Sequence, residues 1–255
     1  MAQRTIHYLF ADNIAKHVAI SDLHRFLLGS ILPDAIEPRD RDASHFKVRT
    51  GTHTYFDFIA YRNAFFDLML RDDLYLGYYM HLVEDAFYRV FLYTGRINMS
   101  RTPEEVKVLH NDYHILNSYI VKKYQLQNKL TDPVSLEAEP IGSIAPFHID
   151  TFLKELANDF TEQTRGSTVY LTESMLDEFV EIIVYRHRAV QGFGRFFSAL
   201  GMIVADCHHI TAQQHKVSGN VHTTAGAEHA DFQITHSYTP FHFQETSVSR
   251  LLNSV

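Results

Sequence analysis

One short stretch of the chain carries two side chains whose types and spacing could bind a metal ion. His81 and Asp85 stand four residues apart in the segment GYYMHLVEDAFYR, residues 77–89, which is otherwise mostly apolar. Because residues i and i+4 lie on the same side of an α-helix, the imidazole and the carboxylate would face one point. For this pair alone two interpretations are open: a hydrogen-bonded polar pair inside a core, or two ligands of a metal ion.

Three further residues, distant in the sequence, offer the same kinds of ligand atom. His7 lies on the first helical segment, Asp34 follows Pro33 in GSILPDAI, and His45 lies in ASHF. Zinc binds imidazole nitrogen and carboxylate oxygen at about 2.0–2.2 Å, so a loop aspartate and a loop histidine could complete the coordination that the helical pair begins. Asp34 could instead be only a turn residue, and His53 competes with His45. With all of these residues considered together, metal binding is the favoured interpretation.

Several neighbours of the helical pair are candidates for a supporting role. If one carboxylate bridges, two metal ions would lie about 3.5–4 Å apart and could hold a phosphoryl group. Gly77, one turn before the helical histidine, is expected to leave open space beside the ligands. Tyr78 and Tyr88 flank the same face and are expected to line a substrate-binding pocket. Glu84 and Asp112 are candidates for orienting or deprotonating a water molecule.

The bulk composition argues against several classes of function. The 255-residue chain is 45% hydrophobic and 21% charged, with a formal net charge of −7, so an extended nucleic-acid surface is not favoured. Cys207 is the only cysteine, which excludes thiolate zinc sites and leaves the 17 histidines and the carboxylates as ligands. No basic and apolar leader opens the chain, and the apolar stretch around residues 196–205 is too short for a transmembrane segment. We therefore expect a cytoplasmic protein.

Hydrophobic periodicity predicts an all-α fold. Helices are predicted for seven segments: residues 5–19, 21–29, 52–72, 74–93, 102–124, 150–160 and 172–188. Ser21 and Gly29 are expected to start and end the second helix. Thr102, Pro103 and Glu105 form a capping box with proline at the first helical position, which predicts a firm helix start.

The chain is expected to divide into one helical hydrolase-like domain, residues 1–206, and a His-rich tail, residues 207–255. The segment 193–205 would close the domain as a final helix or an irregular core segment. The tail lacks a helical stripe and is rich in Ser, Thr and Gly, so it is expected to be flexible or loosely packed. Its histidines recur every seven residues and could bind metal loosely, although coincidence is the favoured explanation.

In this order, the pieces resemble the zinc-dependent phospholipase C and S1/P1-nuclease superfamily, which are all-helical metal-dependent phosphoesterases. The shared elements are an early helical histidine, a G-x-x-x-P-D loop, the histidine of SHF and a G-x-x-x-H-x-x-x-D helix. In this chain their side chains belong to His7, Asp34, His45, His81 and Asp85. The resemblance covers residues 5–125 and implies a multi-helix bundle of the phospholipase C/P1 nuclease type.

The resemblance also implies a ligand set. Asp34, His45, His81 and Asp85 would surround one zinc ion, and His7 and a bridging Asp85 would serve a second. Manganese or iron would suit the same donors. The chain has no Trp, although the secreted lipases use an N-terminal Trp as a ligand, so one or two ions are expected rather than three.

The family has a later pair of ligands in an H-x-x-x-E pattern. In this chain the corresponding residues are His110 and His114 in HNDYH, which share a helical face with Asn117 and could still serve a metal. Asp112 lies on another face and is the competing candidate in that segment. Phe91 stands where the secreted lipases carry a further histidine, which is why a full three-metal centre is not expected.

The activity that the resemblance implies is hydrolysis of a phosphoester, as in a phosphodiesterase, by a metal-bound hydroxide. Asp34 and Asp85 would be its catalytic carboxylates. The substrate would be a small phosphate ester, a nucleotide or a phospholipid headgroup. The alternative hypothesis is a non-catalytic helical protein that keeps the fold and uses its metal structurally or binds a partner. A catalytic zinc keeps a coordination position open, whereas a structural zinc is closed by four protein ligands.

Overall fold

The computed structural model describes residues 3–50, 53–132, 136 and 138–191, and it leaves out the side chains of His53 and of residues 183–191. The predicted segment 193–205 and the predicted tail 207–255 lie outside the described residues, as does the end of the predicted domain 1–206. The described α-helices are α1 (Arg4–Ala15), α2 (Leu23–Ile31), α3 (Arg41–Ser44), α4 (Phe58–Met69), α5 (Asp73–Tyr93), α6 (Pro103–Lys123), α7 (Ile149–Thr161) and α8 (Glu173–Gln191). Single 3₁₀ turns span Leu32–Asp34, Pro38–Asp40 and Pro140–Ser143.

The described part of the chain is mostly helical, as the periodicity predicts. The capping box at the start of α6 is confirmed, because the Thr102 hydroxyl accepts from the Glu105 backbone and the Glu105 carboxylate accepts from the Thr102 backbone. The helices predicted near 150–160 and 172–188 are α7 and α8. Among the described residues, none of the helices combines the length and the hydropathy that a membrane-spanning segment needs.

Three predicted boundaries are wrong. The segment predicted as one helix over 52–72 begins instead with a strand, β2 (His53–Phe56), which pairs antiparallel with β1 (Lys47–Thr50). Asp57 then caps α4 by accepting from the Ala60 backbone, because its carboxylate satisfies a free N–H of the first turn. In the same way Asp22, and not Ser21, caps α2, and Gly29 lies inside that helix rather than at its end.

Helix α5 passes through the core and is buried along most of its length, from Leu74 to Ala86 and beyond. Helix α5 carries apolar side chains on all of its faces, and α1, α2 and α4 all pack against it. A helix buried this fully can carry His81, Glu84 and Asp85 only if each polar group has a partner, because an unpaired polar group in an apolar interior is costly.

The crossing of α2 and α5 is unusually close, and two glycines permit it. A Cβ atom added at Gly77 would lie 2.1 Å from the Phe26 carbonyl oxygen, and one added at Gly29 would lie 2.0 Å from the Leu74 carbonyl oxygen. Only glycine therefore allows the two backbones to approach this far. The close approach brings the backbone of Ser30 beside α5, where it meets a side chain of the site.

Candidate metal centre

Five of the sequence-predicted ligands converge in the core. His7 comes from α1, Asp34 from the 3₁₀ turn after α2, His45 from the end of α3, and His81 and Asp85 from adjacent turns of α5. Ligand atoms of His7, Asp34 and His81 lie within 4.8 Å of one another, and so do those of His45, His81 and Asp85. We call these five residues the central cluster.

Backbone carbonyl groups set the tautomers of two imidazoles in the central cluster. His81 Nδ1 donates to the Ser30 carbonyl oxygen at 2.8 Å, and His45 Nδ1 donates to the Arg41 carbonyl oxygen at 3.0 Å. His45 Nδ1 also lies 2.8 Å from Ser44 Oγ, whose own proton goes to the Pro33 carbonyl oxygen at 2.8 Å. A carbonyl oxygen can only accept, so each Nδ1 carries the proton and each neutral ring leaves a lone pair on Nε2. The two Nε2 atoms face each other at 3.2 Å. This is how metal-binding histidines are oriented by their outer hydrogen bonds.

The spacing of the donors matches a tetrahedral metal site. Four ligands about 2.1 Å from one ion would lie about 3.4 Å apart. His45 Nε2 lies 3.3 Å from Asp34 Oδ1 and 3.7 Å from Asp85 Oδ2, and His81 Nε2 lies 3.9 Å from Asp85 Oδ2. Together with the 3.2 Å between the two Nε2 atoms, these distances are close to that value. They fit a divalent cation held by His45, His81 and Asp85, with Asp34 beside His45.

The other oxygen of Asp85 faces a third imidazole. Asp85 Oδ1 lies 3.5 Å from His7 Nε2, while His7 Nδ1 lies 3.2 Å from Glu84 Oε2. The rings of His7 and His81 stack, with their centroids 3.8 Å apart. Asp85 thus presents one oxygen to each side of the cluster, which is the arrangement that a bridging carboxylate between two ions requires.

Burial and charge act in opposite directions on the buried groups. Burial by itself lowers the pKa of His7, but the carboxylates of Asp85 and Glu84 outweigh it and raise that pKa to about 10. Burial and the charge of His7 lower the pKa of His81 to about 3, so its imidazole is neutral. Burial would raise the pKa of Asp34, but His45, His81 and Arg41 hold it well below its usual range. The neutral imidazole of His81 beside ionised carboxylates is in the protonation state that binds metal, whereas His7 is protonated at neutral pH and would release its proton on binding an ion.

Access to the central cluster is from the side of Asp34. The side chains of His7, His45, His81 and Asp85 are fully buried, whereas Asp34 is 8% exposed and its neighbour Arg41 is 40% exposed. Arg41 Nη2 lies 3.3 Å from Asp34 Oδ1. Lys47 is 14% exposed. Burial lowers its pKa, and the nearby carboxylates of Asp85 and Asp34 raise it by less than burial lowers it. Two cationic side chains therefore stand near the partly exposed edge of the cluster.

The structure does not bring His110 and His114 to the central cluster. His110 is exposed on α6. His114 Nδ1 lies 3.1 Å from Glu162 Oε2, in a separate group with Asp159 that could hold an ion. In that group Arg4 already pairs with Asp159.

Asp112, the other candidate in that segment, has a structural role. Its carboxylate accepts from the backbone N–H groups of Val169, Tyr170 and Leu171, and so ties α6 to the segment before α8. A carboxylate with three such hydrogen bonds is occupied, and the structure does not place it where it could orient a water molecule in the central cluster.

Tyr78, Tyr88 and Gly77 lie in positions that correct their expected roles. Tyr78 is fully buried and donates to the Ser44 carbonyl oxygen at 2.5 Å, while Tyr88 is 1% exposed. Neither ring lines an open pocket; Tyr78 instead supports the backbone beside His45. Gly77 provides no open space, because the α2 backbone fills the position where a side chain would be.

Sequence reasoning identified the five cluster residues but not all of the groups that hold them. The Ser30 and Arg41 carbonyl oxygens carry no sequence signal, since every residue has a carbonyl. Glu84 was one of two candidates for orienting or deprotonating a water molecule, and in the structure it contacts His7. Its position three residues after His81 is the one signal that could have placed it near the cluster.

No protein-family model, curated protein or solved structure that was compared with the chain matches it.

Proposed function

We propose that the protein is a metal-dependent phosphoesterase, with one or two zinc ions in the central cluster. The observation that carries the proposal is the pair of Nε2 atoms of His45 and His81, 3.2 Å apart, with Asp34 Oδ1 at 3.3 Å. The proposed kinship with zinc-dependent phospholipase C and S1/P1 nucleases is supported by the order of these residues along the chain. Manganese or iron remains an alternative to zinc on the same donors.

The donor set fits zinc because it consists only of imidazole nitrogen and carboxylate oxygen in a buried setting. When bound, zinc supplies Lewis acidity and lowers the pKa of a coordinated water from 15.7 to about 7. The chain contributes rigid positioning: the Ser30 and Arg41 carbonyl groups hold the two imidazoles, and burial excludes competing water. Positioning of this kind is a major part of the catalysis of phosphoryl transfer.

The proposed reaction is the hydrolysis of a phosphate ester. The oxygen of a water molecule forms a bond to phosphorus while the ester P–O bond breaks. One proton of the water passes to the departing alcohol oxygen, and the other stays on the released phosphate. Asp34, the cluster residue that is partly exposed, is the carboxylate that could orient the attacking water.

A specific observation favours a second candidate function, a non-catalytic metal-binding protein. Four of the five cluster residues, His7, His45, His81 and Asp85, are fully buried. Structural zinc sites are closed by protein ligands, whereas catalytic ones keep a position open. In this case the metal would join α1, α3 and α5, and no substrate would reach it.

Metal analysis combined with an ester assay distinguishes these proposals. The purified full-length protein is analysed for bound metals and assayed on chromogenic phosphate esters before and after chelation. Turnover that chelation abolishes and added zinc restores supports the enzyme. Bound metal without turnover on any ester favours the structural role, and absence of any bound or bindable metal contradicts both.

A further inference from the structure

Arg41 lies at the partly exposed edge of the central cluster, where its guanidinium could contact a bound anion. It is the first residue of α3, and its carbonyl oxygen accepts from His45 Nδ1, so its backbone is fixed relative to the cluster. Its guanidinium makes one long contact, 3.3 Å from Nη2 to Asp34 Oδ1. Its Nε is buried and has no hydrogen-bond partner among the described residues.

The buried Nε–H of Arg41 is a donor that lacks an acceptor among the described residues. A guanidinium presents its N–H groups in a planar fork that matches the oxygens of a phosphate. Leaving one of these donors buried without an acceptor is costly. An anionic oxygen beside Asp34 would satisfy Nε while it also lies next to the proposed metal.

The charges at this edge favour a substrate with two negative charges. Asp34 and Asp85 together offset one divalent cation. Arg41 and Lys47 then remain as two positive charges, because the nearest acid to Lys47, Asp42 at 4.0 Å, is paired with Arg49 at 2.6 Å. A zwitterionic headgroup would place its own cation beside these side chains, where like charges repel.

Resting on the proposed function, we propose that the substrates are phosphomonoesters with a dianionic phosphoryl group, and that Arg41 determines this specificity by donating from Nε to a non-bridging oxygen. The reaction converts the monoester and water into an alcohol and inorganic phosphate. The P–O bond to the alcohol breaks, a P–O bond to the water oxygen forms, and one water proton passes to the alcohol oxygen.

The test compares three substrates on the metal-loaded full-length protein: 4-nitrophenyl phosphate, bis(4-nitrophenyl) phosphate and 4-nitrophenyl phosphorylcholine. We expect kcat/KM to be highest for the monoester. Arg41→Gln should lower kcat/KM for the monoester by about 10–100-fold, the effect of losing a charged hydrogen bond, and should lower the diester values much less. Arg41→Lys should restore part of the loss, because it keeps the charge without the fork.

The matched control is Arg39→Gln. Arg39 is 82% exposed and lies 3.5 Å from Asp40, so its replacement should leave all three activities unchanged. Inhibition by inorganic phosphate should weaken in Arg41→Gln and stay unchanged in Arg39→Gln. Metal content is measured for each variant, so that loss of the ion is separated from loss of the anion contact. If Arg41→Gln loses metal, the anion contact is tested instead by the activity of Arg41→Lys and by its inhibition by inorganic phosphate.

Two results separate this inference from the proposed function. A wild-type protein that turns over the diester or the phosphorylcholine ester faster than the monoester overturns the inference and leaves the phosphoesterase standing. An equal loss on all three esters in Arg41→Gln at full metal content does the same. A metal-loaded wild-type protein that hydrolyses none of them and binds no inorganic phosphate overturns both.

Discussion

His81 Nε2 lies 3.2 Å from His45 Nε2, and both rings donate from Nδ1 to a backbone carbonyl oxygen. Two lone pairs that face each other repel unless a cation lies between them, and only a proton or a metal ion fits that distance. The backbone thus prepares a cation site before any ligand binds. This relationship is the physical basis for the predictions about metal binding.

Replacing His81 by Ala should remove the metal. The substitution deletes one of the two facing nitrogens. Loss of an outer hydrogen-bond partner typically lowers metal affinity about 10–100-fold, and we expect the loss of this direct ligand to lower zinc affinity further. Elemental analysis and competition with a chromogenic chelator measure the change. His17→Ala, at a histidine outside the cluster, is the control. Unchanged zinc content in His81→Ala would show that the ligand assignment is wrong.

Glu84→Gln should weaken metal binding without removing a ligand. Glu84 Oε2 lies 3.2 Å from His7 Nδ1, and this contact orients the imidazole and, after that of Asp85, raises its pKa. We expect an about 10–100-fold loss of affinity for the ion that His7 serves. In His7→Ala the same substitution should add little, because its effect passes through His7. Additive losses would contradict this; Glu104→Gln, at an exposed site, is the control.

Gly77→Ala should destabilise the fold and the site together. The added methyl carbon would lie 2.1 Å from the Phe26 carbonyl oxygen, so α2 and α5 must separate. We expect the free energy of unfolding to fall by about 1–3 kcal/mol or more, as in other overpacked cores. Because the Ser30 carbonyl would move away from His81, zinc affinity should fall too.

Denaturant unfolding and zinc competition measure these two effects of Gly77→Ala. Gly142→Ala is the milder comparison, since its added carbon would meet the Leu136 carbonyl oxygen at 3.1 Å. A Gly77→Ala protein as stable as the wild type would mean that the two helices are not in close contact.

The stability of the start of α5 should depend on pH through Asp72. Its carboxylate pairs with Arg25 at 2.5 Å and caps α5 through the Leu74 N–H at 3.0 Å. Burial raises the pKa of Asp72, but Arg25 and the Leu74 N–H outweigh it and hold the pKa below its ordinary value. The stabilisation is therefore fully present above the unfolded pKa of about 3.9 and is lost as the pH falls through the folded pKa.

Asp72→Asn tests this dependence because asparagine keeps the cap and removes the charge. It should cost up to about 1 kcal/mol at pH 7, since the pair is partly exposed. The cost should shrink as the pH falls below the unfolded pKa of about 3.9 and through the lowered folded pKa, where Asp72 becomes protonated. Denaturant unfolding across this pH range measures the difference. Asp67→Asn, at an exposed carboxylate, is the control, and a cost that does not vary with pH would contradict the assignment.

Removal of metal should lower the unfolding temperature. A ligand that binds only the folded state at 100 times its Kd adds about 2.7 kcal/mol. Thermal scans with and without a chelator, followed by return of zinc, should show a reversible shift in the wild type and none in His81→Ala. An identical melting temperature in all wild-type samples would argue against a bound ion.

Local rules placed most of the helices correctly from the sequence. The capping box at Thr102 and the apolar spacing in α7 and α8 depend on neighbouring residues along one chain segment. The β-hairpin was missed because β2 runs directly into α4, and the aromatic residues on both sides of Asp57 read as one helical stripe.

By itself the sequence determined which residues could be ligands: the imidazoles of His7, His45 and His81 and the carboxylates of Asp34 and Asp85. Only His81 and Asp85 lie on the same element, α5. Tertiary structure alone decided that they meet, that carbonyl oxygens orient two of the rings, and that Gly77 closes a helix crossing instead of opening a pocket. The physical reason is that backbone carbonyls and close helix contacts depend on which segments pack together, and residue types on one segment do not encode this.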